Sequence, residues 1–300
     1  MRKLVILALV GLAAQLVDGS LGMGYGVTSA TLLVAGGMGP AAASAAIHFS
    51  EIATSLASGA SHAAFGNVDW RTVAILACPG FVGAFAGATF LSSLDGDAVR
   101  PVVAVILLAL GGYVTWRFLS LRRLEFRGRP SARLLAPIGL VAGGLDAVGG
   151  GGWGPVGTTT MLSSGRLEPR RVVGSVDTAE FVVTVGASLG FLLALGRDGI
   201  EWAAAGALLV GGLVAAPVAA LLARHLPPRV LGVCAGGLIV LTNLRTLADV
   251  AGLSAINTGL IAAVVFTLWV LWVSYAIKLE AAERAGSDDP LDQVRAHLPL

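Results

Sequence analysis

The residues in this sequence best suited to chemistry are acids set inside apolar runs. Ser44, His48, Glu51, Ser55, Ser58 and His62 recur at spacings of three and four, so they share one face of a helix. In a later run Asp177, Glu180, Thr184 and Ser188 hold corresponding places. A carboxylate near the middle of a hydrocarbon core costs about 2.5–3.5 kcal/mol on insertion scales. Such a group faces a watery cavity, carries a proton or has a partner. A neutral acid bonding between helices would satisfy the same rule. The recurrence at two corresponding positions favours a proton-handling or substrate-proximal pair. His48 and His62 have no histidine counterparts, and either is as well explained by a satisfied structural role.

A second constellation consists of two glycine runs, Asp18-Gly-Ser-Leu-Gly-Met-Gly-Tyr-Gly26 and Asp146-Ala-Val-Gly-Gly-Gly-Gly-Trp-Gly154. Each interrupts an apolar stretch, and non-helical backbone at membrane depth survives only inside protein or along a cavity. A helix restarting at Val27 or Pro155 would aim its positive dipole end at the break. Glycine amides there could hold an anion without Lys or Arg in the bilayer core. The expected binding set is therefore Gly22, Gly24, Tyr25, Thr28 and Thr31, with Gly150, Gly151, Gly152, Trp153, Thr158 and Thr159. The expected proton-coupling or polar seam is Asp18, His48, Glu51, Ser55, Asp146, Asp177, Glu180 and Thr184.

The elements that must position these residues repeat. Gly11 matches Gly139, Asp18 matches Asp146, Pro40 matches Pro169, Glu51 matches Glu180, Trp70 matches Trp202 and Gly80 matches Gly212. Shared hydrophobicity does not account for that series, so the chain reads as an internal repeat. Each half opens with an interrupted segment, Leu4–Val17 with Val27–Gly37 and Leu134–Leu145 with Pro155–Ser164. Three spans follow in each, about 41–64, 71–93 and 99–119, then about 171–195, 201–223 and 230–248. A last span, about 254–277, has no partner. The organisation is thus a first membrane repeat over 1–120, a basic linker over 121–133, a second repeat over 134–250, an extra transmembrane helix over 251–278 and a soluble tail over 279–300.

Composition agrees. Apolar residues make up 56% and charged residues 13%, with a mean hydropathy of +0.83, far from a soluble domain. The fold class is an all-α polytopic membrane protein. No basic stripe suggests nucleic acid. Cys78 and Cys234 stand alone, without C-x-x-C or zinc spacing, so no metal or cofactor is expected. Neither a Walker motif nor a G-x-S-x-G or H-E-x-x-H signature occurs, so an enzyme is not favoured despite His48, Ser50 and His62. Met1-Arg2-Lys3 before Leu4–Val17 has the outline of a signal peptide, but without a convincing cleavage site it is expected to stay.

The glycine-rich opening of each half, Pro40 and Pro169, and Gly66-Asn-Val-Asp-Trp70 before Gly80-Phe-Val-Gly-Ala-Phe-Ala-Gly87 resemble the TauE/SafE sulfite exporter family. The likeness covers about residues 5–248. It implies export of sulfite or a small organosulfonate across the cytoplasmic membrane. The reading is a secondary transporter for a small inorganic or organosulfur anion in a lipid bilayer, with protons as the expected coupling ion and a homodimer left open. The alternative is a cation or metal transporter that uses Asp18, Glu51, Asp146, Asp177 and Glu180 as oxygen ligands.

A continuous helix over 4–37 would be about 50 Å long, too long for one modestly tilted crossing. If each interrupted segment is a hairpin that returns to its own side, Arg2, Lys3, Arg100, Arg197 and Arg245 lie on one face. The other 15 of the 20 Lys and Arg lie opposite. A single crossing divides them 11 to 9. The positive-inside rule then selects the hairpin, inverted repeats, an external N-terminus and a cytoplasmic C-terminus. Cysteines placed singly in the 117–133 loop, with Cys78 and Cys234 replaced, should resist an impermeant maleimide outside intact cells. Labelling there would reverse the topology.

Overall fold

The computed structural model describes residues 2–21, 23–120, 130–158, 160–161, 164, 166–167, 169–222 and 228–287. Gly22, Thr159, positions 121–129 of the basic linker and positions 288–300 of the tail lie outside the described residues. Among the described residues everything regular is helical. The order is α1 (Arg2–Leu21), α2 (Tyr25–Ala35), α3 (Pro40–Ala64), α4 (Trp70–Ser92), α5 (Gly96–Leu119), α6 (Ala132–Gly149), a π-helical turn (Trp153–Thr158), α7 (Pro169–Leu195), α8 (Trp202–Leu222), α9 (Pro228–Val250) and α10 (Ala255–Ser287).

Local chemistry sets the boundaries. Pro40 starts α3, where its fixed φ and missing N–H cost nothing. Asp69 caps α4 by accepting from Thr72 N at 2.9 Å. The two breaks fall on glycines with positive φ, Gly24 at 122° and Gly150 at 71°, where a side chain would be strained. The breaks are shorter than the glycine runs. Helix α1 continues through Asp18 to Leu21, and α2 resumes at Tyr25, not Val27. Likewise α6 reaches Gly149, and the chain resumes at Trp153 as a π-helical turn rather than at Pro155. A helix needs only one or two left-handed residues to end it, so most of each glycine run stays helical.

Among the described residues, six helical stretches are long and apolar enough to cross a membrane: Trp70–Ser92, Ala98–Leu119, Ala132–Gly149, Arg171–Leu195, Gly232–Val250 and Ala255–Glu283. The last buries little of its surface and has a mean hydropathy of 2.3 over its most apolar window. An apolar surface of that extent belongs against lipid. Helix α10 also runs past Lys278, where a soluble tail was expected. Leu279-Glu-Ala-Ala-Glu-Arg are good helix formers, and Arg229 of α9 holds Glu280 and Glu283 at 3.6 and 2.8 Å. Helix α3 is not among the six because its polar seam lowers its hydropathy. Its Ala43, Ala45, Ala46 and Ile47 belong instead to the buried core.

The helices pair across the sequence repeats. Helix α1 lies along α8, and α6 lies along α4; α3 meets α7, and α5 meets α9. The opening helix of each half thus packs on the fourth element of the other. Close approach depends on glycine. A Cβ on Gly11 would come 2.8 Å from Leu208 Cα, and one on Gly139 would come 2.5 Å from Leu76 O. Gly11 and Gly139 are repeat equivalents, and so are Leu76 and Leu208. Gly11→Leu or Gly139→Leu should therefore each cost at least about 1–3 kcal/mol by overpacking. Gly112→Ala, which meets nothing within 4 Å, should be near neutral; thermal unfolding in detergent measures both.

Candidate functional site

The two breaks meet at the centre of the bundle. A Cβ on Gly26 would lie 2.7 Å from Gly151 Cα, and one on Gly151 would lie 2.6 Å from Val27 Cα. The chains therefore cross backbone to backbone, which only glycine permits. Each break is tied to the helix before it by its aspartate. Asp146 Oδ1 accepts from Gly152 N at 2.7 Å and from Trp153 N at 3.0 Å. Asp18 Oδ1 accepts from Tyr25 N at 3.3 Å. A carboxylate facing exposed amides at a helix start is favoured by hydrogen bonding and dipole alike. The amides of Tyr25, Gly152 and Trp153, expected to face a bound anion, are thus taken by the chain's own carboxylates in this conformation.

The aromatic residues of the breaks reach into the opposite half. Trp153 Nε1 donates to Val176 O at 3.0 Å, and its ring covers Gly80, where a Cβ would come 2.8 Å from Cζ3. The Tyr25 hydroxyl lies 3.1 Å from Ser50 Oγ and donates to Leu208 O at 3.2 Å. Its ring lies beside Gly212, the repeat equivalent of Gly80.

His48 belongs to the same centre. Its Nδ1 is 2.8 Å from Ser44 O. A carbonyl only accepts, so Nδ1 carries a hydrogen. Nε2 then faces Asp146 Oδ2 at 3.1 Å, and one proton lies between these two atoms, on the ring or on the acid. Ser44 Oγ donates to Ala147 O at 2.6 Å. The position of α7 equivalent to His48 is Asp177.

Beside the His48–Asp146 pair is a small cavity of ≈ 20 Å³, lined by Gln15, Asp18, Tyr25, Glu51, Thr54, Ser55, Ser58, Asp177 and Glu180. It has room for roughly one water molecule. Four carboxyl groups share it, and among the described residues no Lys or Arg lines it. Glu51 is 4% exposed, and its Oε2 has no hydrogen-bond partner among the described residues. Ser58 Oγ donates to Asp177 Oδ2 at 2.9 Å. His48, Glu51 and Asp146 can each offer a ligand atom, all within 4.8 Å of one another.

The structure thus brings Asp18, Tyr25, Glu51, Ser55, Asp177 and Glu180 to one cavity, with His48 and Asp146 adjoining. Thr184 donates to Phe181 O in its own helix. Thr31 accepts from Asn243 Nδ2 at 3.0 Å, while Thr28 Oγ1 and Thr158 Oγ1 are buried without a partner among the described residues. Sequence reasoning missed Gln15, Thr54 and Asn243. Gln15 stands one turn before Asp18, so spacing could have found it. Asn243 comes from α9, and no local signal connects it to Thr31.

A helical bundle crossing the membrane, with a polar centre where broken segments meet, defines a multi-pass membrane transporter. Residues 7–246 match the family described as Sulfite exporter TauE/SafE, and the chain belongs to that family. It is 51% identical over 252 residues, 83% of this chain and 84% of the relative, to "Probable membrane transporter protein YtnM" of Bacillus subtilis (strain 168). No solved structure matches.

Asp146 accepts from two backbone amides and faces His48 Nε2. Asp146→Ala would leave the Gly152 and Trp153 amides without their acceptor and His48 Nε2 without its partner. Each buried orphan costs about 1–3 kcal/mol, so the variant should lose thermal stability well beyond Thr184→Ala, compared by unfolding in detergent.

Proposed function

We propose that the chain is a secondary transporter that exports a small sulfur oxyanion, sulfite or a small organosulfonate, across the cytoplasmic membrane, coupled to protons. The observation that carries the coupling is the acid-lined cavity between α1, α3 and α7. Four carboxyl groups gathered without a fixed cation are a place to hold protons, and intramembrane acids of this kind mark relays in pumps and transporters. The substrate class rests on the family and on the polar groups around the crossing, where the Thr28 and Thr158 hydroxyls have no partner. Asp18 and Asp146 occupy the amides in the present conformation, so an anion would reach those donors only as the aspartates move away.

The reciprocal pairing of α1 with α8 and α6 with α4 supports two inverted repeats that rock against one another around the crossing. The N-terminus would be external and the C-terminus cytoplasmic, from the distribution of Lys and Arg.

A second reading, a cation or metal transporter, is favoured by the grouping of His48, Glu51 and Asp146. Glutamine at Glu51 or Glu180 separates the two, because it keeps the shape but can no longer ionise. For a proton-coupled anion carrier, Glu51→Gln and Glu180→Gln should keep sulfite-dependent thermal stabilisation near the wild-type concentration range and lose pH-driven flux in proteoliposomes. Stabilisation of the wild type by a divalent metal and not by sulfite, abolished by Glu51→Gln, would establish the cation reading instead.

A further inference from the structure

We infer that Arg117 is an anion-binding residue, which takes the oxyanion at the end of α5 before it reaches the breaks. This rests on the anion reading above. Helix α5 turns one stripe into the protein. Val103, Leu107, Leu110 and Val114 are at most 7% exposed, at the three- and four-residue spacing of a single helix face. The stripe ends in a cation. Arg117 stands in the last turn of α5 and is 9% exposed. Its Nε is buried with no hydrogen-bond partner among the described residues. Among the described residues two arginines are buried, Arg117 and Arg229. Glu280 and Glu283 hold Arg229, whereas no described acid pairs with Arg117.

A buried charge is costly unless it is paired, and a guanidinium does not escape the cost by losing its proton. Arg117 therefore calls for a counter-charge that the described chain does not supply. An anion that comes and goes supplies it, and the planar fork of the guanidinium fits two oxygens of an oxyanion at once. Side chains on a helix lean toward its N-terminus, so that of Arg117 leans back over the turn of Val114. Val114 shares a buried apolar cluster with Met23 of the first break. Met23 also borders the second break, because a Cβ on Gly154 would come 2.7 Å from Met23 Cβ. Three residues, about 4.5 Å of helix rise, separate Arg117 from Val114. On the topology proposed above this end of α5 is cytoplasmic, where an exported anion enters.

The other end of the stripe differs. Arg100 opens it at the same spacing, but its Nη2 donates to Val34 O at 3.3 Å, in the last turn of α2. A cation there meets the unpaired carbonyls and the negative dipole end of α2, so Arg100 holds the fold.

The test is thermal unfolding in detergent, titrated with sulfite and, in parallel, with methanesulfonate. Arg117→Gln should need roughly 10–100 times more anion for the same stabilisation. Without anion it should unfold at an unchanged or higher temperature, because it no longer buries an unpaired charge. Lower intrinsic stability with an unchanged anion dependence would mark a structural arginine and overturn the proposal; Arg100→Gln should show that pattern. Should Arg117→Gln not reach the membrane, Arg117→Lys is measured instead. It keeps the charge without the fork and should still weaken the anion response; an unchanged response overturns the proposal. A lipid phosphate offers the same chemistry. Stabilisation of the wild type by phosphatidylglycerol in mixed micelles, lost in Arg117→Gln while sulfite acts equally on both, would assign Arg117 to lipid and overturn the proposal. A wild type that neither anion stabilises overturns the anion reading and this proposal together.

Discussion

The rest of the structure depends on two backbones touching. Gly26 meets Gly150 and Gly151 at the crossing of the breaks, so close that a single methyl group would drive the chains apart. Backbone crossing at membrane depth brings an obligation, because each exposed amide must find an acceptor. Asp18 and Asp146 meet it from the helices that precede the breaks. These acids are therefore part of the fold before they are part of any mechanism. Their position in turn brings His48 to Asp146 and gathers the remaining carboxyls around one small cavity.

From that crossing outward, the molecule is organised by exchange between its sequence repeats. Each half lends its opening helix to the other, and each aromatic residue at a break covers a glycine of the other half. Neither half could bury these surfaces alone. The exchange fits alternating access, because groups shared between two bodies move when the bodies move. It also leaves room for difference: the equivalents of His48 and His62 are Asp177 and Phe191. One side of the centre is held by an acid–imidazole pair and a buried ring, the other by acids reaching a partly exposed histidine.

The acid cavity and the glycine crossing adjoin, one lined by four carboxyl groups and the other by backbone amides held by Asp18 and Asp146. In the present conformation the protein's own aspartates satisfy the amides. Substrate would then compete with Asp18 and Asp146 for donors the fold already uses, a direct way to couple occupancy to rearrangement.

The sequence by itself determined the class, the helices and the repeat. Span length, apolar composition and the series from Gly11 with Gly139 to Gly80 with Gly212 are local or periodic signals, and they survive in one dimension. The polar stripe from Ser44 to His62 was legible for the same reason, since helical spacing places those residues on one face. Tertiary structure alone decided who meets whom. The length of the glycine runs overstated the breaks, because one or two left-handed residues end a helix, and which two they are depends on packing. That Asp146 takes the Gly152 and Trp153 amides, that His48 is its partner and that Asn243 holds Thr31 are contacts between distant segments. No spacing rule encodes them, because they arise only when two breaks are pressed together and every buried donor must find an acceptor.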